Sequence, residues 1–265
     1  MSSDLVSWTV LPDALAVSDP PAFDDWTTWT GSVVRDDRGG WRMFYTGSSR
    51  SDGGLVQRIG SACSKDLLTW TKDSRQAPLE ADPRWYEKLD SGEWFDEAWR
   101  DPWVFRADDG AWHMLITARA GDGPPPGRAV VGHATSDDLS EWHVLPPLSE
   151  PDAGFGQMEV LQVEVVDGVP TLIFCCQPAE MEPETARRLG GGGMFSVTGP
   201  SLTGPFDLSA AHLFPHDSLY AARLVKHEGR WNLIGFRNIE EGRFVGELTD
   251  PIPVTSDVAM GLVPR

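Results

Sequence analysis

Cysteine is scarce in this chain of 265 residues: there are three, Cys63, Cys175 and Cys176. An odd count without regular spacing excludes a disulfide framework and points to a reducing compartment, so the expected location is the cytoplasm. No His or Cys accompanies them at ligand spacing, which excludes a zinc site of that kind and leaves buried strand cysteines. Basic residues are few as well: 22 Lys and Arg oppose 40 Asp and Glu, for a net charge of −18. Duplexes and anionic bilayers carry the same sign, so neither nucleic acid nor membrane is an expected partner. There is no transmembrane run and no signal peptide at the start. Helical periodicity is weak, its best stretch being about 183–189. His133, His143 and His227 show no ligand spacing, and Gly190 to Gly193 lack the strand–helix context and lysine of a phosphate cradle. No metal and no cofactor are therefore expected.

What is abundant is tryptophan, 12 residues, with 27 Gly and 21 Pro, a composition of many turns and few long helices. It is arranged in a repeat. Ser2-Ser3-Asp4-Leu5-Val6-Ser7-Trp8 returns as Ser64-Lys65-Asp66-Leu67-Leu68-Thr69-Trp70 and as Ser136-Asp137-Asp138-Leu139-Ser140-Glu141-Trp142. All three read S-x-D-L-x-x-W, and Ser201 to Leu208 is a looser version. Between them runs a glycine turn followed by an apolar strand, beginning at Gly39, Gly110, Gly168 and Gly229, with spacings of 71, 58 and 61 residues. In the S-x-D-L-x-x-W turn the Asp is expected to bond nearby backbone N–H groups while the Trp covers the blade's outer edge.

Four strands per unit, repeated radially, predict an all-β propeller. Complete units fall at about 29–78, 99–150, 157–212 and 218–258, here blades I to IV. Before them only the outer strand of a further blade, Trp8 to Leu11, is visible, so the propeller domain is expected over 1–258 with the N-terminal part of its first blade missing. Residues 259–265 are expected to be a tail outside the fold, because Gly261 to Arg265 resembles the stub of an engineered protease site. A propeller lacking most of one blade exposes unpaired edges, so the expectation is that the ring closes around four blades, that another chain fills the gap in a homo-oligomer, or that upstream residues complete the blade.

The order of these motifs resembles the catalytic propeller of glycoside hydrolase family 32, the β-fructosidases, and more loosely family 43. The resemblance covers about residues 4 to 255 and implies five blades. It is carried by Trp29-Thr30-Gly31-Ser32-Val33-Val34, similar to the family's W-S-G-S-A-V strand. It is carried also by Arg100-Asp101-Pro102, by Gln157-Met158-Glu159-Val160 at the place of its E-C motif, and by Leu219-Tyr220-Ala221 at that of D-F-Y-A. Each opens a successive blade. Three features depart from the family: its nucleophile strand has no counterpart, Val160 replaces the Cys after the acid, and no sandwich domain follows.

Cleaving a glycosidic bond needs two carboxylates across it. Glu159, among Phe155, Met158, Val160 and Leu161, is the candidate general acid, since an apolar setting favours the protonated carboxyl. Asp101, beside the cation Arg100, is expected to stay ionised, and the resemblance implies a transition-state stabiliser there. Arg100, Trp29, Trp26, Tyr220, Gln157 and Arg223 are the candidate substrate contacts. Asp24 and Asp25 are weaker stand-ins for the absent nucleophile. The reading is a retaining β-fructosidase acting on a small carbohydrate such as sucrose or a short fructan. The alternatives are a non-catalytic carbohydrate-binding propeller and an inverting arabinan- or xylan-type glycosidase.

Overall fold

The computed structural model describes residues 1–91, 93–216 and 218–265, and in them the repeat becomes four antiparallel sheets. Blade I is β1 (Thr27–Arg35), β2 (Trp41–Ser48), β3 (Gln57–Ser64) and β4 (Trp70–Lys72). Blade II is β5 (Trp99–Arg106), β6 (Trp112–Arg119), β7 (Ala129–Ser136) and β8 (His143–Leu145). Blade III is β9 (Glu159–Val166), β10 (Val169–Cys176), β11 (Gly193–Thr198) and β12 (His212–Leu213), with one helix, α1 (Pro183–Leu189), inserted after β10. Blade IV is β13 (Leu219–His227), β14 (Arg230–Glu240), β15 (Arg243–Leu248), β16 (Ile252–Asp257) and β17 (Gly261–Pro264). Its path runs β13-β14-β16-β17, and β15 pairs with the far end of the long β14.

The apolar faces are buried between blades. Phe44, Ile59, Trp99, Met114 and Ile116 fill the space between blades I and II. Leu115, Val131, Leu161, Phe174 and Phe195 do so between II and III, and Ile173, Leu219, Trp231 and Leu233 between III and IV. Inner strands β1, β5, β9 and β13 therefore lie side by side in that order. Among the described residues β13 and β1 make no contact of comparable extent, so the four blades do not close on themselves.

The S-x-D-L-x-x-W turn forms as its chemistry demands. Asp66 Oδ1 accepts from the N–H groups of Leu68 (2.8 Å) and Thr69 (2.7 Å), and Asp138 Oδ1 from those of Ser140 (2.7 Å) and Glu141 (3.0 Å). Asp4 accepts from Val6 and Ser7 in the same way. These bonds hold Leu5, Leu67 and Leu139 at φ of 63°, 63° and 64°, a conformation that side chains other than Gly rarely adopt.

Two expectations about the ends need correction. Residues 8–11 form no strand, and Val10 is 94% exposed. The turn at 2–8 is local and folds unaided, but a strand needs a neighbour along its length, and backbone pairing here stops at Thr9, which exchanges hydrogen bonds with Met1. The last residues, expected outside the fold, form β17. It pairs with β16, Leu262 N–H donates to Ser196 Oγ at 2.8 Å, and the Leu262 side chain is buried in the core of blades III and IV.

Candidate active site

Each inner strand is interrupted at the same place. The register shifts between Trp29 and Gly31 in β1, between Arg100 and Trp103 in β5, and between Tyr220 and Arg223 in β13. In β9 it shifts where β10 passes from Ile173 to Cys175, opposite Gln162 and Glu159. A bulge breaks the two-residue alternation and re-aims the neighbouring side chains. Asp101, Val160 and Ala221 take φ of 56°, 57° and 47° at these bulges. That strain is typically worth about 1–3 kcal/mol for a residue with a Cβ. In β1 the extra residue is Thr30, and at Gly31, which follows it, a Cβ would lie 1.8 Å from the Phe44 carbonyl oxygen.

The residue just before the bulge is Trp29, Arg100, Glu159 or Tyr220. These four sequence candidates occupy equivalent positions on successive blades, and three of them touch. Arg100 Nη2 donates to Glu159 Oε1 at 2.7 Å, and the Tyr220 hydroxyl donates to Glu159 Oε2. Glu159 is thus held between blades II and IV by one donor on each oxygen. The apolar neighbourhood expected around it is not what its carboxyl meets. Phe155, Met158 and Leu161 turn into the core, while the bulge sends the carboxyl to a guanidinium and a phenol. Burial and the Glu159 charge push the Tyr220 hydroxyl up, so it remains a donor throughout the neutral range.

Asp101 is almost completely buried. Its N–H donates to Thr46 Oγ1 in blade I at 2.9 Å, and its Oδ2 accepts from Thr117 Oγ1 and from the Val160 N–H of blade III, both at 3.1 Å. Arg100 Nε lies 3.7 Å from Oδ2. The sequence expectation was a carboxylate kept ionised by Arg100. Burial pushes the Asp101 carboxyl up, while Arg100 acts in the expected direction and holds it down, with nearby Glu159 adding to the rise.

The remaining candidates fare differently. Trp29 is 45% exposed. Trp26, also exposed, lies ahead of β1 with the Arg50 guanidinium over its ring. Gln157 is not at the surface: it is fully buried, and its Oε1 accepts from Trp94 Nε1 at 3.0 Å. Arg223 crosses to blade III, donating to the Leu161 carbonyl at 2.9 Å and the Val160 carbonyl at 3.2 Å, with Trp103 of blade II against its guanidinium. Asp24 and Asp25 are engaged elsewhere. Asp24 accepts from Tyr45 and Lys72 beside a cavity of about 460 Å³ towards the outer strands of blade I. Asp25 takes the Arg50 N–H at 2.8 Å.

Sequence reasoning missed two residues that complete the cluster. Arg100 Nη1 donates to Gln57 Oε1 at 2.9 Å and reaches Asp96 Oδ2 at 3.3 Å, while Gln57 Nε2 donates to the same Asp96 oxygen at 2.7 Å. Burial pushes Asp96 up, as it does Asp101. A hydrogen-bonded chain Gln57–Asp96–Arg100–Glu159–Tyr220 therefore runs from blade I to blade IV. Asp96 stands four residues before Arg100, a spacing that would have suggested a partner only on a helix, and Gln57 carries no sequence signal.

The inner strands of the propeller thus bring two carboxylates and an arginine together. The chain belongs to glycosyl hydrolases family 32, whose N-terminal domain matches residues 1–189. No curated protein matches it. Among solved structures it is similar to the β-fructofuranosidase of Bombyx mori, at 21% identity and a TM-score of 0.73 over 100% of this chain and 55% of that one. The sucrose-6-phosphate hydrolase of Lactobacillus gasseri gives 20% and 0.72, over 96% of this chain and 51% of that one. The inulosucrase of Halalkalicoccus jeotgali bound to kestose gives 22% and 0.70, over 89% and 70%. This chain thus spans about half the length of the first two.

Proposed function

We propose that the chain carries the acid–base and stabilising carboxylates of a retaining glycosidase acting on β-fructosides such as sucrose or short fructans. The observation that carries this reading is the clamped Glu159, with Arg100 on one oxygen and Tyr220 on the other, beside Asp101. Glu159 would protonate the leaving oxygen and later take a proton from water. A tyrosine hydroxyl both donates and accepts hydrogen bonds, so Tyr220 can stay bonded to Oε2 whether Glu159 is ionised or carries the proton it gives to the leaving oxygen. Asp101 would take hydroxyls of the bound sugar and offset oxocarbenium charge. The attacking group is assigned to no residue of the four blades, because Asp24 and Asp25 are engaged away from this cluster. That same fact favours a second reading, a carbohydrate-binding propeller without turnover.

Sugar release from sucrose, inulin and levan, measured beside calorimetric sugar binding, tests both. Release that falls about 10²–10⁴-fold in Glu159→Gln supports the enzyme. Binding without release from the wild-type chain replaces it with the binding module, and neither binding nor release rejects both.

A further inference from the structure

Trp94 and Phe95 lie on the segment between blades I and II, and neither is absorbed by the chemistry above. Trp94 is half-buried and tightly fixed. The Arg119 guanidinium lies 3.9 Å from its ring centroid, and its Nε1 donates to Gln157 Oε1. Arg119 is itself immobilised. It donates to Glu87 at 2.5 Å, to the Pro125 carbonyl at 2.9 Å and to the Gly156 carbonyl, while Glu87 also takes Arg128 at 2.8 Å. Gly156 is the right residue there, since a Cβ would come within 2.9 Å of the Trp94 ring. One face and the N–H of the indole are therefore committed. Phe95 adjoins it with centroids 5.3 Å apart and is 62% exposed.

The place of this pair matters as much as its rigidity. Gln157, which anchors the indole, stands two residues before Glu159. Asp96, which follows Phe95, bonds Arg100. The aromatic segment is thus tied at both ends to the neighbourhood of the candidate acid. The C–H faces of a sugar ring are apolar, and an aromatic ring fixed in advance loses little entropy when such a face stacks on it.

We propose that Trp94 and Phe95 form an aromatic platform for the leaving-group sugar, the ring joined to the fructosyl unit of a di- or trisaccharide; this rests on the fructoside reading above. The test is calorimetric binding of fructose, sucrose and kestose to the wild-type chain and to Trp94→Ala, Trp94→Phe and Phe95→Ala. Expected are fructose affinities unchanged within about twofold and kestose weakened about tenfold in Trp94→Ala, from the loss of one stacked ring. Phe95→Ala should lose about threefold, and Trp94→Phe should recover most of the loss. Kestose affinity equal in all four proteins, with fructose still bound, overturns the platform and leaves the fructoside reading standing. Equal loss of fructose and kestose in Trp94→Ala also overturns it, since Trp94 would then act only by holding the acid's segment. Phe95→Ala breaks no hydrogen bond and decides the matter if Trp94→Ala does not fold. Neither binding nor release of any sugar by the wild-type chain rejects the parent reading, and the platform with it.

Discussion

At the scale of single residues, the cluster is governed by one cation serving three carboxylates. Arg100 touches Asp96, Asp101 and Glu159, and its side chain is 8% exposed. Removing it leaves buried negative charge without a partner, which typically costs about 3–5 kcal/mol. Arg100→Met is therefore expected to lower stability by that order at pH 7, measured by urea unfolding. The sign of the pH dependence follows from the upward displacement of Asp96 and Asp101 by burial. A carboxyl raised in the folded state holds its proton more tightly there than in the unfolded chain. Its contribution favours folding below its ordinary value of 3.8 and is lost as pH rises through the folded value. Without Arg100 both groups rise further, so the deficit of the variant should narrow between pH 7 and pH 4. An equal deficit at both would mean that Arg100 acts by packing alone.

At the scale of elements, the blade is a sheet whose outer strand depends on what lies beside it. The strands after the Asp turns are three residues long in blades I and II, and they persist because β3 and β7 supply their partners. Residues 8–11 follow an equally well-formed turn, and with only the Thr9–Met1 pair beside them they form no strand. In blade IV the corresponding place is taken by β17, which buries Leu262 at 1% exposure against Val254 and Trp231. Leu262→Ala should cost about 2–5 kcal/mol by removing a buried side chain and leaving a cavity. Chemical denaturation measures this directly, and a loss below about 0.5 kcal/mol would mean that β17 frays from the sheet.

At the scale of the whole molecule, net charge dominates. An excess of 18 negative charges makes the compact state repel itself. Raising salt from about 10 mM to about 150 mM shortens the screening length from roughly 30 Å to roughly 8 Å. The Tm is expected to rise by a few degrees over that range. A fall would show that surface ion pairs outweigh the repulsion. At this scale too, blades I and IV each present a face to the open side of the array. Ile239, Phe244 and Leu248 of blade IV are exposed.

Much of the fold was legible because a propeller writes itself as a period. The S-x-D-L-x-x-W turns and the glycine turns placed four sheets, and the resemblance to family 32 singled out Trp29, Arg100, Glu159 and Tyr220, which share one bulge position. Local chemistry suffices for such features: an Asp bonds the N–H groups two and three residues on, whatever surrounds it. The sequence alone did not disclose Gln57, Asp96 or the fixing of Trp94, since contacts between blades join residues dozens of positions apart with no shared period. Nor did it disclose the burial of Gln157 or the polar surroundings of Glu159. Flanking residues in sequence describe a side chain's neighbours along the strand, whereas the bulge and the adjacent blades decide what its far end meets. What the sequence determined is the repeat, the turns and the order of the motifs. The tertiary structure alone decided which charges are buried together, because desolvation and pairing depend on distance in space.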